Sequence, residues 1–342
     1  MEKKSATEIS TLGEFGLIER LTSRLKRRNS STIMGAGDDA AIIDLGDEVM
    51  LLSTDMMTEG IDFDLSYFPL KHLGYKAIVR GVNDILAMNA RPEQVVVALG
   101  ISAKITVEAL DALYDGMEFA CNELGVDIVG GDTTASMNGL VISVTATGRA
   151  KREDVVYRSG AKEHDLICIT SNLGAAYMGL HLLEREKRVL KGVDNPEPQF
   201  DGYGYLLERY LKPRAKANVL EALRNEGIRP TSMIDLSDGL ASDLRQICRA
   251  SECGARIYLE RIPIAQQTTQ LAEEMHIDPV IAALNGGEDH ELLFTVPLEM
   301  QEKVMQLGLI DVIGHITRPE AGVILVTPDG EGIALKAQAF DR

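Results

Sequence analysis

The sequence predicts a two-domain protein of the α+β class, and three observations support this prediction. A chain of 342 residues is too long for one typical hydrophobic core and long enough for two domains. In the first half, apolar residues recur alternately at the strand period and at the helix period. A second succession of strands and helices follows the polar stretch 151–165. We therefore expect an N-terminal α+β domain over 1–150 and a C-terminal α/β domain over 151–342.

The first half is predicted to run as helix, hairpin, helix, strand, helix and two strands. The hairpin turns at Gly46, while Thr106 and Gly125 are residue types that begin and end a helix. The predicted ranges are 14–28 (helix), 40–54 (hairpin), 70–88 (helix), 94–102 (strand), 106–124 (helix), 126–129 (strand) and 140–147 (strand).

The second half is predicted to begin with a buried strand and a glycine-containing turn into a helix. A polar segment with two prolines, 187–204, has weak periodicity and is expected to be an exposed insertion. The other predicted ranges are 166–170 (strand), 175–185, 214–226 and 239–251 (helices), 255–259 and 291–296 (strands), and a closing pair of strands at 311–316 and 322–327.

Composition and charge exclude several classes of protein. A net charge of −17 argues against a nucleic-acid partner, because phosphate backbones are bound by clustered Lys and Arg. The sequence contains no apolar run long enough to span a membrane, and its first residues lack a signal peptide's apolar stretch. The four cysteines form no C-x-x-C pair, so we expect reduced and mostly buried thiols. These features predict a cytoplasmic protein.

The usual nucleotide-binding signatures are absent. There is no G-x-x-x-x-G-K-[ST] segment, and the H-R-D and D-F-G segments of protein kinases are also missing. Gly202-Tyr203-Gly204 lacks the third glycine of a dinucleotide fingerprint and does not follow a clear strand. Any nucleotide must therefore be bound by a different arrangement.

Acidic residues instead stand next to glycine or hydroxyl residues at the ends of several apolar runs. Carboxylates are poor strand formers, so they lie where strands stop or turns begin. Magnesium prefers oxygen ligands and bridges carboxylates to substrate phosphates, and neighbouring glycines allow a close approach. We therefore predict a magnesium-dependent phosphoryl transfer from ATP. The segments are Gly37-Asp38-Asp39, Ser53-Thr54-Asp55, Asn83-Asp84, Gly130-Gly131-Asp132-Thr133-Thr134, Asp235-Leu236-Ser237-Asp238-Gly239 and Gly286-Gly287-Glu288-Asp289.

Each segment taken alone is better explained as an ordinary turn, because Asp and Gly are the commonest turn residues. Two are more informative. Asp84 lies in a mostly apolar helical stretch, where an unpaired carboxylate is costly to bury. Asp235 to Gly239 follows an apolar pair and opens a helix, which directs its hydroxyl, amides and carboxylates toward one point. For Asp243, further along that helix, we expect an exposed position.

Read together, these segments resemble the thiamine-monophosphate kinase family, whose superfamily includes aminoimidazole ribonucleotide synthetase and selenophosphate synthetase. The resemblance runs nearly from end to end of the chain. It covers Glu14-Phe15-Gly16-Leu17-Ile18, Gly37-Asp38-Asp39-Ala40, Ser53-Thr54-Asp55, Asn83-Asp84-Ile85-Leu86-Ala87-Met88, Ile128-Val129-Gly130-Gly131-Asp132-Thr133-Thr134, Arg158-Ser159-Gly160-Ala161, Tyr210-Leu211-Lys212-Pro213-Arg214, Ile234-Asp235-Leu236-Ser237-Asp238-Gly239-Leu240 and Gly287-Glu288-Asp289-His290-Glu291-Leu292.

The resemblance implies a two-domain synthetase fold, with a ferredoxin-like N-terminal domain whose mixed sheet dimerises. It implies transfer of the ATP γ-phosphoryl group to thiamine monophosphate, with several Mg²⁺ ions. Asp55, Asp84, Asp132 and Arg158 are the implied catalytic residues. The implied ligands are Asp38, Ser53, Thr54, Asp55, Asp84, Asp132, Asp235 and Asp238 for metal, Tyr114, Gly131, Asp132, Arg158 and Ser237 for ATP, and Asp62, Glu288 and Phe340 for the substrate.

The chain departs from the family pattern at two places. Where the family commonly has a substrate-facing His, in a pattern like E-G-x-H-F, this chain has Asp62 in Glu59-Gly60-Ile61-Asp62-Phe63. The family also often ends in an aromatic residue that stacks on the substrate, with Trp nearby. This chain has no Trp, and Phe340 is the aromatic residue near its end.

Of four rival functions, two lack an expected cysteine and two remain open from sequence. An enzyme resembling aminoimidazole ribonucleotide synthetase is compatible with the same fold. Selenophosphate synthetase would carry a reactive Cys near a glycine-rich N-terminus, whereas the first Cys here is Cys121 in a predicted helix. The hydrogenase-maturation relative would carry a C-terminal Cys, which is absent here. A non-catalytic nucleotide or thiamine sensor would be expected to have gaps in the metal-ligand set.

Overall fold

The computed structural model describes residues 11–192 and 197–337. Its strands form two sheets, one from the first half of the chain and one from the second half. The helices are α1 (Gly13–Thr22), α2 (Leu70–Ala87), α3 (Val107–Leu124), α4 (Ala175–Val189), α5 (Gly204–Leu211), α6 (Ala217–Asn225), α7 (Leu240–Ala250), α8 (Gln266–Glu274), α9 (Pro279–Asn285) and α10 (Gln301–Gln306). Within the described ranges, none of these helices is both long enough and apolar enough to cross a bilayer.

The first sheet is mixed and has six strands in the order β1-β2-β3-β6-β4-β5. Its strands are β1 (Thr32–Met34), β2 (Ala41–Asp44), β3 (Glu48–Thr58), β4 (Arg91–Ser102), β5 (Asp127–Ser136) and β6 (Val141–Lys151). Strands β4 and β5 are parallel, and the other neighbours are antiparallel. In β3, residues at alternate positions such as Val49 and Leu51 are buried on one face, which follows from the two-residue period of a strand.

Helices α2 and α3 cover the buried face of this sheet and cross each other closely. A Cβ on Gly74 would lie 1.9 Å from the Leu113 carbonyl oxygen, and one on Gly116 would lie 1.8 Å from that of Lys71. Only glycine allows the two backbones this approach. Among the described residues no helix covers the opposite face of the sheet, and Met56 and Val96 are exposed on it.

The second sheet has seven strands in the order β13-β12-β9-β11-β7-β10-β8. They are β7 (Leu166–Ile169), β8 (Ser232–Leu236), β9 (Gly254–Tyr258), β10 (Glu291–Val296), β11 (Asp311–Thr317), β12 (Val323–Val326) and β13 (Gly332–Ala334). Strands β12 and β9 are parallel, and the other described neighbours are antiparallel. Strands β7, β8 and β10 are buried at every position. Only β7 reads in the sequence as a continuous apolar run, because β8 and β10 also bury polar residues such as Asp235 and Glu291.

Most predicted elements are present, with some differences in their bounds. Helices α2, α3 and α7 lie within one residue of their predicted ranges at each end, and Thr106 and Gly125 do cap α3. The hairpin extends to Thr58, four residues beyond its predicted end at 54. Helix α1 ends at Thr22 rather than at residue 28. The predicted insertion is shorter than expected, because α4 continues to Val189. The two closing strands, β11 and β12, are not neighbours, because β9 lies between them in the sheet. All four cysteines are free thiols, and three of them are buried.

Candidate active site

A cavity of about 710 Å³ lies between the two halves of the chain. One wall is the segment of β3 after Leu52, the last residue of β3 that pairs with β2. Beyond that point the edge of β3 is open, and the turn that contains Gly37 and Asp38 lies beside it. The second half contributes the loop after β8 and the loop before β10. The cavity therefore collects loop residues that are distant in the sequence.

Three carboxylates form a compact cluster at this cavity, where Asp84 and Asp235 are lining residues and Asp39 is buried next to them. Asp39 from the turn before β2, Asp84 from α2 and Asp235 from β8 each have an oxygen within 4.8 Å of the others. The Ser53 hydroxyl donates a hydrogen bond to Asp84, and the Asn83 side-chain amide donates one to Asp235 at 3.4 Å. Three elements from both halves of the chain thus meet at one point.

The cluster has more negative charge than its surroundings neutralise. Burial raises the pKa of Asp39 to about 6, although the Arg158 guanidinium opposes this rise. Burial and the neighbouring Asp39 raise the pKa of Asp235 to about 7. Burial, together with Asp235 and Asp39, also raises the pKa of Asp84 well above its ordinary value. The second carboxylate oxygen of Asp39 is buried and has no hydrogen-bond partner. These are the properties of a site that fits a cation.

Arg158 lies beside the cluster in the segment that connects the two sheets. Its guanidinium Nε donates to Asp39 Oδ1 at 3.0 Å. Its backbone N–H donates to both oxygens of Asp38, at 3.3 and 3.2 Å. Burial raises the pKa of the Asp38 carboxyl group despite these bonds. The carboxylates of this turn are thus held by one arginine through its side chain and its backbone.

Two loops of the second half pack against each other at the cavity. Gly239, at the start of α7, has a φ of 107°. The Glu288 N–H donates to the Ser237 carbonyl at 2.9 Å, and the His290 N–H donates to the Leu236 carbonyl at 2.9 Å. Glu288 and His290 both have positive φ, at 61° and 50°. Non-glycine residues adopt this conformation at a cost, and strained residues of this kind recur at functional sites.

Asp243 was expected to be exposed, and this prediction is wrong. Its side chain is buried, and its Oδ2 accepts hydrogen bonds from the backbone N–H groups of Asp238 and Gly239, at 3.2 and 3.1 Å. An acidic residue in the first turn of a helix satisfies N–H groups that the helix leaves unpaired. Asp289 has the same role at α4, where it accepts from the Gly174 and Ala176 N–H groups.

The other end of the cavity contains paired charges. Arg80 Nε donates to Asp55 Oδ2 at 2.5 Å, and its Nη1 lies 3.0 Å from Asp62 Oδ1 and 3.4 Å from Glu288 Oε1. The buried Lys76 Nζ lies 2.7 Å from Glu288 Oε2. Burial alone would raise the pKa of Glu288, but Lys76, His290 and Arg80 outweigh it and hold that pKa well below its ordinary value.

The cavity brings together most of the residues predicted from the sequence. Of the predicted residues, Asp38, Thr54, Asp55, Asp84, Arg158, Asp235, Ser237, Asp238 and Glu288 line it. Ser53 and Asp62 reach this group through Asp84 and Arg80. Which of these residues contacts metal, ATP or substrate stays a prediction.

Three predicted residues of the described ranges are not brought together with the cluster. Tyr114 lies on α3 and is partly exposed, away from the lining residues. Gly131 and Asp132 lie on β5, the edge strand, which is separated from β3 by β6 and β4. A Cβ on Gly131 would lie 1.9 Å from the Val97 carbonyl oxygen, so glycine is also required here for β5 to pack against β4. Phe340 lies outside the described residues.

Sequence reasoning missed three residues at this site. Asp39 was noted only as part of a turn, although its carboxylate, rather than that of Asp38, belongs to the compact cluster. Lys76 and Arg80 were not recognised at all. They precede Asp84 by eight and four residues respectively, which places all three on one face of α2 and could have revealed them.

Two protein-family models match the chain. The AIR synthase related protein N-terminal domain matches residues 37–150, and the corresponding C-terminal domain matches residues 162–328. The chain is 33% identical to a thiamine-monophosphate kinase of Escherichia coli K12, covering 94% of this chain and 92% of that one. It is 30% identical to the enzyme of that name from Bacillus subtilis, covering 97% and 99%.

Solved structures agree with the sequence matches. A structure of AaThiL complexed with AMPPCP and TMP has a TM-score of 0.82 and 28% identity, covering 96% of this chain and 97% of that chain. A thiamine monophosphate kinase from Aquifex aeolicus has a TM-score of 0.76 and 26% identity, covering 96% and 100%. The fold is thus shared along almost the whole of both chains.

Proposed function

Because this chain belongs to the AIR synthase-related family and, within it, to the thiamine-monophosphate kinases, we propose that it phosphorylates thiamine monophosphate with ATP. The products are thiamine diphosphate and ADP. The observation that carries this proposal is the cluster of Asp39, Asp84 and Asp235, beside a cavity that also contains cationic and anionic groups for two substrates. Its rivals are an activity like that of aminoimidazole ribonucleotide synthetase and a non-catalytic sensor.

The residues present fit magnesium. The cluster carboxylates are buried without enough compensating charge, and the partnerless oxygen of Asp39 offers a ligand atom. Asp39, Asp84 and Asp235 would hold the ions, with Asp55, Asp38, Asp238, Ser53 and Thr54 as further predicted ligands. Magnesium, when bound, supplies positive charge that offsets the charge of the transferring phosphoryl group. Asp39 is an addition to the set that the sequence predicted.

The chain's own residues would bind and orient the two substrates. Arg158 lies next to the cluster and would offset negative charge on the ATP phosphates. Glu288 faces the same cavity and would lie near the cationic thiamine. Phosphoryl transfer depends mostly on positioning and electrostatic stabilisation. The acceptor phosphate is already ionised near neutral pH, so the reaction requires no general base.

We propose further that the active enzyme is a homodimer in which one copy completes the site of the other. Asp132 lies on β5, three strand spacings or roughly 14 Å from β3 across the sheet, so it does not reach the cluster of its own chain. The uncovered face and edge of this sheet expose Met56, Val96 and Val129. A second copy against this surface would bury these side chains and bring Tyr114, Gly131 and Asp132 toward the neighbouring cavity.

The activity is tested by ADP release from the purified protein. With ATP, magnesium and thiamine monophosphate, we expect ADP and thiamine diphosphate in equal amounts. ADP release only with a purine-pathway amidine would favour the synthetase alternative, and binding without turnover would favour the sensor. Asp55→Asn is expected to fold normally and lose activity, and undiminished turnover would remove Asp55 from the metal ligands.

The shared site is tested by mixing two inactive variants. Asp55→Asn and Asp132→Asn would each be inactive as homodimers. After subunit exchange, half of the dimers are mixed and each has one intact site, so we expect about one quarter of the wild-type activity. No recovery would place both residues in the site of one chain or exclude Asp132 from it, provided that exchange is verified with a tag on one variant that makes the mixed dimers distinguishable by mass.

A further inference from the structure

Helix α2 presents three ionisable residues along one face, at positions i, i+4 and i+8. Asp84 belongs to the carboxylate cluster, while Lys76 and Arg80 lie on the preceding two turns. The face therefore changes from anionic to cationic over about 12 Å, given the rise of an α-helix. A donor phosphate held at the cluster and an acceptor phosphate beside it would lie along this face.

We infer that Arg80 binds the phosphate group of the acceptor and that Asp62 positions Arg80 for this contact. This inference rests on the proposed function. Arg80 would then distinguish a phosphorylated acceptor from the corresponding alcohol. It also makes Asp62 a positioning residue rather than a direct contact of the thiamine rings.

The first support is the availability of Arg80 compared with Lys76. The Lys76 side chain is 0% exposed, its Nζ is paired with Glu288 at 2.7 Å, and it lies 4.1 Å from the centre of the Tyr210 ring. Lys76 is thus fixed as the partner of Glu288. The Arg80 side chain is 20% exposed, and Arg80 lines the cavity. Of these two cations, Arg80 is the one that a ligand can reach.

The second support is the geometry of the Arg80 guanidinium. Its described ion pairs use Nε and Nη1, which contact Asp55, Asp62 and Glu288. A guanidinium carries five N–H donors in a fixed fork. Since none of the described ion pairs uses Nη2, this nitrogen can donate to a phosphate oxygen. Guanidinium groups match phosphate in this way better than ammonium groups do.

The third support is how Asp62 is held. Its Oδ2 accepts the Thr58 N–H at 2.8 Å, while its Oδ1 faces Arg80 Nη1 at 3.0 Å. One carboxylate thus connects the end of β3 to the guanidinium. If Asp55 bound a cation, Arg80 Nε would become free for the acceptor phosphate. Asp62 and Glu288 would still keep Arg80 in the cavity.

The experiment compares binding of thiamine monophosphate and of thiamine by isothermal titration calorimetry. The protein is pre-loaded with magnesium and a non-hydrolysable ATP analogue, so that no turnover is needed. Wild type is expected to prefer the monophosphate. Arg80→Gln should weaken the monophosphate by about tenfold to a hundredfold and leave thiamine unchanged, because a charged hydrogen bond to phosphate is lost. Asp62→Asn should reduce the preference by only a few-fold.

Arg185→Gln serves as the matched control, because Arg185 also pairs with two carboxylates, Glu186 and Glu274, but lies outside the cavity lining. It should retain the wild-type preference. If Arg80→Gln does not fold, Arg80→Lys decides, since it keeps the charge and loses the fork. A several-fold loss of preference in that variant supports the inference.

An unchanged preference in a folded Arg80 variant would overturn the inference and leave Arg80 as a counter-ion of its three carboxylates. Equal weakening of thiamine and thiamine monophosphate would overturn it too, because the effect would not depend on the phosphate. A different result would contradict the proposed function itself: wild-type protein that releases no ADP with thiamine monophosphate.

Discussion

Two arginines that line the same cavity contact separate sets of carboxylates, and the two sets differ in how well they are neutralised. Arg158 contacts Asp39, whose pKa is nevertheless raised to about 6 by burial. Arg80, together with Lys76, contacts Glu288, whose pKa is held well below its ordinary value. The cluster end therefore has an excess of acid that a bound cation would neutralise, whereas the Arg80 end already contains its own counter-ions.

This difference separates buried acids that lack a full counter-charge from buried acids that are already paired within the folded chain. A buried carboxylate with a raised pKa costs folding energy, and a chain retains it where it has a function. A buried carboxylate with a lowered pKa stabilises the fold in its ionised form. Removing charge at the two ends should therefore change stability in opposite directions.

The largest expected effect is that of Asp235→Asn on activity. The amide keeps the shape of the side chain but removes one of the three cluster charges, so we expect turnover to fall by about 10²- to 10³-fold. Without metal, the variant should melt at a higher temperature than wild type, because the cost of burying the Asp235 charge and its repulsion by Asp39 are both relieved. ADP release and thermal melts in EDTA measure the two effects. A lower melting temperature in EDTA would contradict the assignment of excess charge to the cluster.

Glu288→Gln should have the opposite effect on stability. The change leaves Lys76, which is 0% exposed, without its charged partner at 2.7 Å. Breaking a buried pair by removing one partner typically costs about 3–5 kcal/mol. We expect a loss at the lower end of this range, because Glu288 is itself 27% exposed. Urea unfolding monitored by circular dichroism measures the loss. The double variant Lys76→Met with Glu288→Gln should recover part of it, and no recovery would show that the pair is not the cause.

The pH dependence of stability should show the cluster directly. A carboxyl group whose pKa is raised on folding binds its proton more tightly in the folded state, so the free energy of unfolding falls as pH rises. The fall in the free energy of unfolding begins near pH 3.8 and extends to about pH 6 for Asp39 and to about pH 7 for Asp235. The effect of Glu288 has the opposite sign and lies below 4.5, outside that upper range.

Melting temperatures in EDTA between pH 5 and 8 should therefore decline, and magnesium should restore stability most at pH 8. Asp235→Asn should flatten the decline. A flat profile for wild type in EDTA would show that the cluster is neutralised by other means.

The sequence predicted the site better than it predicted the charges around it. Asp84 and Asp235 were recognisable because a carboxylate in an apolar run is costly to bury unless it has a partner or a function. Which aspartate of the Asp38-Asp39 pair joins the cluster depends on the turn and on Arg158, 119 positions away from Asp39. Single-sequence periodicity does not contain such long-range partners.

The same reason explains the two other misses. Lys76 and Arg80 resemble ordinary residues of an amphipathic helix until Glu288, on a loop of the second half, is placed against them. Asp243 was expected at an exposed helix position, whereas the two N–H groups that donate to its carboxylate lie in the preceding loop. In the fold, by contrast, local signals sufficed, since α2 and α3 have long periodic patterns and α3 has clear capping residues.

The smallest expected effect tests whether burial alone makes an acid functional. Asp243 is buried and its pKa is raised well above its ordinary value by burial and by Asp238 and Asp235, as at the cluster. Its carboxylate, however, accepts two backbone N–H groups, a role that an amide oxygen can also fill. Asp243→Asn should therefore change the free energy of unfolding by less than about 1 kcal/mol and keep most activity. Asp243→Leu should cost about 1–3 kcal/mol, because both N–H groups lose their acceptor. If Asp243→Asn were as inactive as Asp235→Asn, Asp243 would belong with the cluster and the distinction between ligand-binding and structural acids would have to be redrawn.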